Sequence, residues 1–264
     1  MDVIILAGGR GTRLSDKTQN MPKPLIDIGN KPIIWHIMKI YSHFQHNRFI
    51  VPLGYLGGEI KKYFRYYPWI DHDSGSEVDL DFKAYETPKI DENWEIILKD
   101  TGIDTNTQKR LYLVKNHIKS DQFMLTYGDG VADINIDSLI KCHNKMKIEK
   151  NTIATITVHK PISKYGIVYL ENGIIKSFKE KPLSDNFVNI GFMVFEKEVL
   201  DYITEKDIML EGDNGSILPL LASMNKLACY VHNGFWESMD TYKDYLTLNK
   251  LWTASRPWAI WEKH

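Results

Sequence analysis

Only two cysteines, Cys142 and Cys229, occur in 264 residues. They stand far apart without a CxxC or Cys/His spacing, so neither a disulfide framework nor a zinc site is indicated. Both are expected to be buried, reduced thiols. An excess of one charge is missing too: 33 basic and 34 acidic side chains nearly cancel. No global field therefore draws the chain to nucleic acid or to an anionic membrane, and any phosphate must be bound locally. The apolar start Val3-Ile4-Ile5-Leu6-Ala7 meets glycine too soon for a signal-peptide core or a membrane span, which points to a cytoplasmic protein. Repeats, low-complexity tracts and Pro/Gly/Ser linkers are absent as well, so one domain over residues 1–264 is the expectation.

What is present is ordinary globular material, 43% hydrophobic and 25% charged, enough for a sizeable core. Asp2 to Leu6 reads as a buried strand. Pro32 to Phe44 carries Ile33, Ile34, Ile37, Met38 and Tyr41 at helical spacing. Arg48 to Leu53 and Gln122 to Tyr127 read as further strands, and Gly58 to Tyr66 as an amphipathic helix. After about residue 150 the pattern changes to Thr152 to His159, Tyr165 to Leu170 and Ile174 to Glu180, with Glu171-Asn172-Gly173 as a hairpin turn. Helices are expected over 137–147, 196–204, 215–224 and 241–252. The tryptophans Trp252, Trp258 and Trp261 near the end read as packing or a subunit contact. The fold class that follows is α/β: a Rossmann-like, mostly parallel sheet flanked by helices, with an antiparallel hairpin region added in the C-terminal half.

The first segment with chemical content is Leu6-Ala7-Gly8-Gly9-Arg10-Gly11-Thr12-Arg13-Leu14, directly after the first strand. Its glycines let backbone amides approach phosphate oxygens closely. It lacks the Gly-Lys-Ser/Thr of a Walker loop and the third glycine of a dinucleotide fingerprint, which disfavours kinase-type and NAD readings. Arg10, Arg13, Lys17 and Lys23 share one loop with only Asp16 to balance them, a grouping suited to an anion. Pro22 and Pro24 hold Lys23 on a stiff backbone. Asp129 lies in Gly128-Asp129-Gly130 at the end of a predicted buried strand, where it could serve as a turn residue. Asp240 precedes a helical run, where it could serve as an N-cap.

The loop signature followed by Pro22-Lys23-Pro24 resembles the sugar-1-phosphate nucleotidyltransferases. Trp35-His36-Ile37-Met38, Asp100-Thr101-Gly102, Thr126 to Asp133, Glu180-Lys181-Pro182 and Gly234-Phe235-Trp236 with Met239-Asp240-Thr241 resemble their glucose-1-phosphate cytidylyltransferase branch, in order along the whole chain. The resemblance implies Mg²⁺-dependent transfer of CMP from CTP to glucose 1-phosphate, with a nucleotide-binding half about 1–150 and a sugar-phosphate-binding half about 151–264. It implies catalytic roles for Arg13, Lys23 and Lys181, and metal binding by Asp129 and Asp240. It assigns the nucleotide to Leu6, Ala7, Gly8, Gly9, Gly11, Thr12, Thr101, Arg110 and Gly128, and the sugar phosphate to Glu180, Lys181 and Asn189. Homo-oligomers are implied as well; nucleic acid and membrane partners are not.

The implied reaction needs no general base, because a phosphate oxygen is already anionic at neutral pH; positioning and charge neutralisation are what the residues must supply. Departures from the branch occur at Gln108 and Lys109, where it has two glycines, at Ile190, where it has glycine, and around Ser216, where it carries a Trp-Glu segment. They leave open a different acceptor, such as another sugar 1-phosphate or a polyol phosphate, or UTP or dTTP in place of CTP. A non-catalytic nucleotide-sensing subunit is the remaining alternative, against which the joint presence of Arg13, Lys23, Asp129, Lys181 and Asp240 argues.

Overall fold

The computed structural model describes residues 1–11, 14, 21–65, 70–71, 92–163, 165–212 and 215–262. Thr12, Arg13, Asp16 and Lys17 lie outside the described residues, as do Tyr66 at the end of the expected second helix, Asp213 and Asn214.

The chain begins with β1 (Asp2–Leu6), a short hairpin of β2 (Asp27–Ile28) and β3 (Lys31–Pro32), and helix α1 (Ile33–His43). Next come β4 (Arg48–Leu53), α2 (Gly57–Phe64), β5 (Ile70–Asp71), β6 (Glu95–Asp100), α3 (Thr107–Val114), β7 (Gln122–Tyr127), β8 (Gly130–Ala132) and α4 (Ile136–Lys150). The second half contributes β9 (Ala154–His159), β10 (Ile167–Glu171), β11 (Ile174–Lys179), β12 (Val188–Asn189) and β13 (Met193–Glu196). It ends with α5 (Ile217–Ser223), β14 (Leu227–Val231), β15 (Trp236–Ser238) and α6 (Tyr242–Ala254).

One nine-stranded sheet takes strands from both halves of the sequence. The β5-β6-β4-β1-β7 run is parallel throughout; β13 then pairs antiparallel with both β7 and β9, and β14 runs parallel to β9 on its other edge. Every residue of β1 is buried because the strand is central and covered on both faces. Period-2 alternation sends Val3 and Ile5 into the core under α1, and Ile4 and Leu6 into the opposite core under α3 and α5. In α1 the expected spacing places Ile33, Ile34, Ile37, Met38 and Tyr41 in the first core. Replacing a fully buried isoleucine there by alanine costs about 2–5 kcal/mol.

The expected hairpin forms between β10 and β11, and Asn172 (φ 47°) and Gly173 (φ 80°) make the tight turn that two positive φ values allow. The 196–204 stretch forms a 3₁₀ segment, Lys197–Tyr202, in place of an α-helix. Helix α6 is capped by Thr241, whose side chain accepts from the Asp244 amide while Asp244 accepts from the Thr241 amide; Asp240 is therefore not the N-cap. The C-terminal tryptophans pack within the chain: Trp258 is fully buried, stacks on Trp252 and Phe235, and donates its indole N–H to His36 Nδ1 at 3.3 Å.

The cysteines depart from expectation. Cys142 on α4 is half-buried and Cys229 on β14 is exposed, and the helix packs so that the Cys142 thiol lies 3.8 Å from the Cys229 carbonyl. Among the described residues no helix is long and apolar enough to cross a membrane.

Candidate active site

Parallel strands leave their carboxyl ends on one edge of the sheet, and the loops there enclose a cleft of about 310 Å³. The loop after β1 supplies Leu6 to Gly9 and Gly11, and the Pro22-Lys23-Pro24 turn supplies Lys23 and Pro24. The start of α3 adds Thr105, Asn106, Thr107 and Arg110; the end of β7 adds Tyr127, Gly128 and Asp129; Met209 closes the wall. The β1 and β7 loops are tied together because the Gly128 amide donates to Leu6 O at 3.0 Å. A Cβ on Gly128 would sit 2.9 Å from that same oxygen, so only glycine allows this approach.

Asp240 reaches this cleft from far along the chain. Strand β15 pairs with β8 so that Ser238 faces Gly130, and the Met239 amide donates to Asp129 O at 2.8 Å. The next residue, Asp240, thus stands beside Asp129. The Lys23 ammonium lies 2.6 Å from Asp129 Oδ2 and 2.8 Å from Asp240 Oδ1, with only 13% of its side chain exposed. Burial by itself would lower the Lys23 pKa; attraction from Asp129 and Asp240 outweighs it and holds the pKa above the ordinary lysine value. Ser238 Oγ, donating to Asp240 Oδ2 at 3.0 Å, helps to orient the second acid.

Two carboxylates whose oxygens already converge on one cation suit a hard divalent ion. No cluster of three His, Cys, Asp or Glu side chains occurs among the described residues, so phosphate oxygens and water would complete the shell. That is the usual manner of Mg²⁺ with nucleotides.

Arg110 is 3% exposed and spends its guanidinium on the loops around the cleft. Nη1 donates to Leu53 O (2.9 Å), Thr101 Oγ1 (2.6 Å) and Gly102 O (2.9 Å); Nη2 donates to Gly8 O (3.1 Å) and Ile103 O (3.3 Å). Burial lowers its pKa, against the pull of Asp207 and Asp104. No carboxylate pairs with it directly among the described residues, so a positive charge stands in the cleft wall. A Cβ on Gly8 would meet the guanidinium carbon at 2.2 Å, which accounts for glycine there. Thr101 is buried behind the wall, where its hydroxyl donates to Leu53 O at 2.8 Å.

The structure therefore gathers Leu6, Ala7, Gly8, Gly9, Gly11, Lys23, Arg110, Gly128 and Asp129 around one cleft, with Asp240 joined to them through Lys23. Glu180 and Lys181 stand apart, exposed on the loop after β11 with their charged groups 3.7 Å from each other. Asn189 approaches the cleft indirectly, its amide 3.4 Å from the Tyr127 hydroxyl. Tyr127, Met209 and Glu211 were not anticipated. Glu211 accepts from both Tyr127 Oη and Asn189 Nδ2, and nothing local in its sequence announces this.

Two of the departures have structural uses. Gln108 is fully buried; its Oε1 accepts from the Ile217 amide at 2.7 Å and its Nε2 donates to Gly215 O at 3.4 Å, tying α3 to the start of α5. Ile190 is 4% exposed, with its amide bonded to Thr157 O. Lys109 lies over the Tyr112 ring, 5.1 Å from its centroid, and Ser216 is buried just ahead of α5.

Residues 2–255 match the family described as nucleotidyl transferase. The chain is 42% identical over 264 residues to the probable glucose-1-phosphate cytidylyltransferase of Bacillus subtilis (strain 168), covering 99% of this chain and 100% of that one. It is 39% identical over 273 residues to the glucose-1-phosphate cytidylyltransferase of Salmonella typhi, with the same coverage. In fold it is similar to HddC from Yersinia pseudotuberculosis (TM-score 0.68, 20% identity, 95% of this chain and 99% of the other). It is likewise similar to the inositol-1-phosphate CTP transferase from T. maritima (TM-score 0.62, 17% identity, 95% of each).

Proposed function

The chain belongs to the nucleotidyl transferase family, and we propose that it transfers CMP from CTP to glucose 1-phosphate, giving CDP-glucose and pyrophosphate. The observation that carries this reading is the joining of Lys23, Asp129 and Asp240 at the cleft behind β1 and β7, in a chain that two glucose-1-phosphate cytidylyltransferases match over their full length.

A phosphate oxygen of the sugar 1-phosphate attacks the α-phosphorus of CTP; that P–O bond forms as the bond to pyrophosphate breaks, and no proton need move. Two anions must be brought together, so the demand on the protein is positioning and neutralisation. Amides of the Gly8 to Gly11 loop face the triphosphate, Lys23 contacts the reacting phosphates, and the Arg110 charge supports the loop from behind. Arg13 is proposed to share the triphosphate contact and Lys181, with Glu180, to bind the acceptor. Asp129 and Asp240 would hold a divalent cation, Mg²⁺ in this reading, which would supply charge neutralisation at the α-phosphate.

The buried, bonded positions of Gln108 and Ile190 support packing roles for those departures, and hence the unaltered acceptor. The substrates are water-soluble anions, in keeping with action in the cytoplasm. Association into homo-oligomers is supported by hairpin β10–β11, which among the described residues pairs with no other strand and leaves Tyr169, Leu170, Ile174 and Phe178 more than half exposed.

The test is pyrophosphate release with Mg²⁺, crossing CTP, UTP, dTTP, ATP and GTP against sugar 1-phosphates and polyol phosphates. Release confined to CTP with glucose 1-phosphate is expected. Release with CTP and a different acceptor would replace the acceptor in this reading, and silence across the panel would overturn it.

A further inference from the structure

Next to the cleft is a carboxylate that the phosphate chemistry does not use. Glu211 has no ammonium or guanidinium within ion-pair distance among the described residues; its partners are two neutral donors, the Tyr127 hydroxyl and the Asn189 amide. Both reach the same oxygen, Oε1, so Oε2 carries neither bond. A carboxylate can accept at both oxygens, and one that is oriented yet unneutralised beside a cleft is suited to receiving hydroxyl protons.

Its position is fixed by the backbone around it. Gln108 N donates to Ile208 O at 3.1 Å, Leu210 N donates to Thr107 Oγ1 at 2.9 Å, and Leu218 N donates to Leu210 O at 3.1 Å. Leu210 is fully buried and Met209 lines the cleft, so the 208–210 segment is pinned to the mouth of the site while Glu211 remains open to an incoming ligand. The partners are held as well. Tyr127 lines the cleft next to Gly128 and Asp129, and its hydroxyl donates to Glu211. Asn189 Oδ1 accepts from the Gly191 amide at 3.1 Å, a turn that needs the positive φ of Gly191, and this directs the Asn189 Nδ2 toward Glu211.

We infer that Glu211 is a specificity residue for the acceptor, taking hydrogen bonds from ring hydroxyls of a hexose 1-phosphate, with Tyr127 and Asn189 as its positioning residues. The inference rests on the sugar-phosphate reading above and deepens it. It requires a polyhydroxylated acceptor, since Glu211 Oε2 facing a deoxygenated carbon would lose its water and gain no donor in exchange.

The experiment measures glucose 1-phosphate binding directly, by calorimetry on the wild type and Glu211→Gln with a non-hydrolysable CTP analogue present, alongside steady-state kinetics. The 2-, 3-, 4- and 6-deoxy glucose 1-phosphates are run in parallel. Glu211→Gln is expected to weaken glucose 1-phosphate at least tenfold in Kd and KM, with the KM for CTP changed less than twofold. For one deoxy compound, or two neighbouring ones, wild type and variant should bind alike, because the recognised hydroxyl is gone. Tyr127→Phe should give a smaller loss with the same deoxy pattern.

Equal weakening for every deoxy compound, or none for glucose 1-phosphate, would overturn the inference, as would failure of glucose 1-phosphate to bind the wild type. Binding that follows the expected pattern without product formation would instead overturn the proposed reaction and leave the Glu211 assignment standing.

Discussion

Met239 donates its backbone N–H to the carbonyl of Asp129 at 2.8 Å, and this bond sets Asp240 beside Asp129. Asp129→Asn and Asp240→Asn should each lower turnover by roughly 10³-fold or more, the scale for removing a principal electrostatic group, while leaving the main-chain pairing intact. Pyrophosphate release read beside the thermal midpoint checks this. Near-normal rates in either variant would remove that residue from the cation site.

Lys23 holds both carboxylates in the ligand-free protein. Lys23→Met should release them, so that Mn²⁺ binds the free variant more tightly than the free wild type in an electron paramagnetic resonance titration. Turnover should fall by roughly 10- to 100-fold through the lost phosphate contact. Weaker Mn²⁺ binding in the variant would show that Lys23 assembles the acids rather than competing for them.

Arg110→Met would remove the charged donor shared by the carbonyls of Gly8, Leu53, Gly102 and Ile103, of which Gly8 keeps the Tyr55 amide and Leu53 keeps Thr101. A destabilisation of about 3 kcal/mol or more is expected, measurable by urea unfolding, together with a higher KM for CTP. Unchanged stability with a raised KM would assign Arg110 to the nucleotide alone.

Gln108→Ala removes the tie between α3 and the start of α5. It should cost about 1–3 kcal/mol, since the Ile217 amide loses its acceptor, and leave the choice of acceptor unchanged. A shift in acceptor preference would mark Gln108 as a specificity determinant.

His36 predicts an acid-sensitive fold. Its Nε2 donates to Ile28 O at 3.0 Å while its Nδ1 accepts from Trp258, so both nitrogens are used by the neutral ring. Burial lowers its pKa from 6.5 to about 4. Between those values the unfolded chain holds more protons than the native one. Stability is therefore fully present above pH 6.5 and is lost as the pH falls toward 4, by about 3 kcal/mol in all. His46, also lowered to about 4 by burial and the neighbouring N-terminal ammonium, acts in the same direction. Thermal midpoints at pH 7.5 and 5.0 should differ clearly in the wild type and less in His36→Gln; equal slopes would remove His36 as the cause.

Much of the scaffold was legible because its signals are local. β1, α1, β4, β7 and the β10–β11 hairpin announce themselves by period, by length and by Asn172-Gly173. β13 has four residues and β12 two, and β14 mixes buried and exposed positions without alternation. Their strand character comes from partners on β7 and β9. The cysteines show the same limit: burial of a small apolar side chain depends on which helix covers it, and α4 leaves Cys229 open.

For the site, the glycine loop, the proline-braced Lys23 and the strand-terminal Asp129 could be picked out from neighbours in sequence. Glycine permissiveness, proline rigidity and hydrophobic period act over a few residues, so the amino-acid order determines them alone. The meeting of Asp129 with Asp240, the burial of Arg110 against Gly8 and the capture of Glu211 by Tyr127 and Asn189 were decided only in the tertiary structure. Each joins side chains from distant segments, and such contacts form only once the sheet has closed the long loops between them and the core has offset the entropy of doing so.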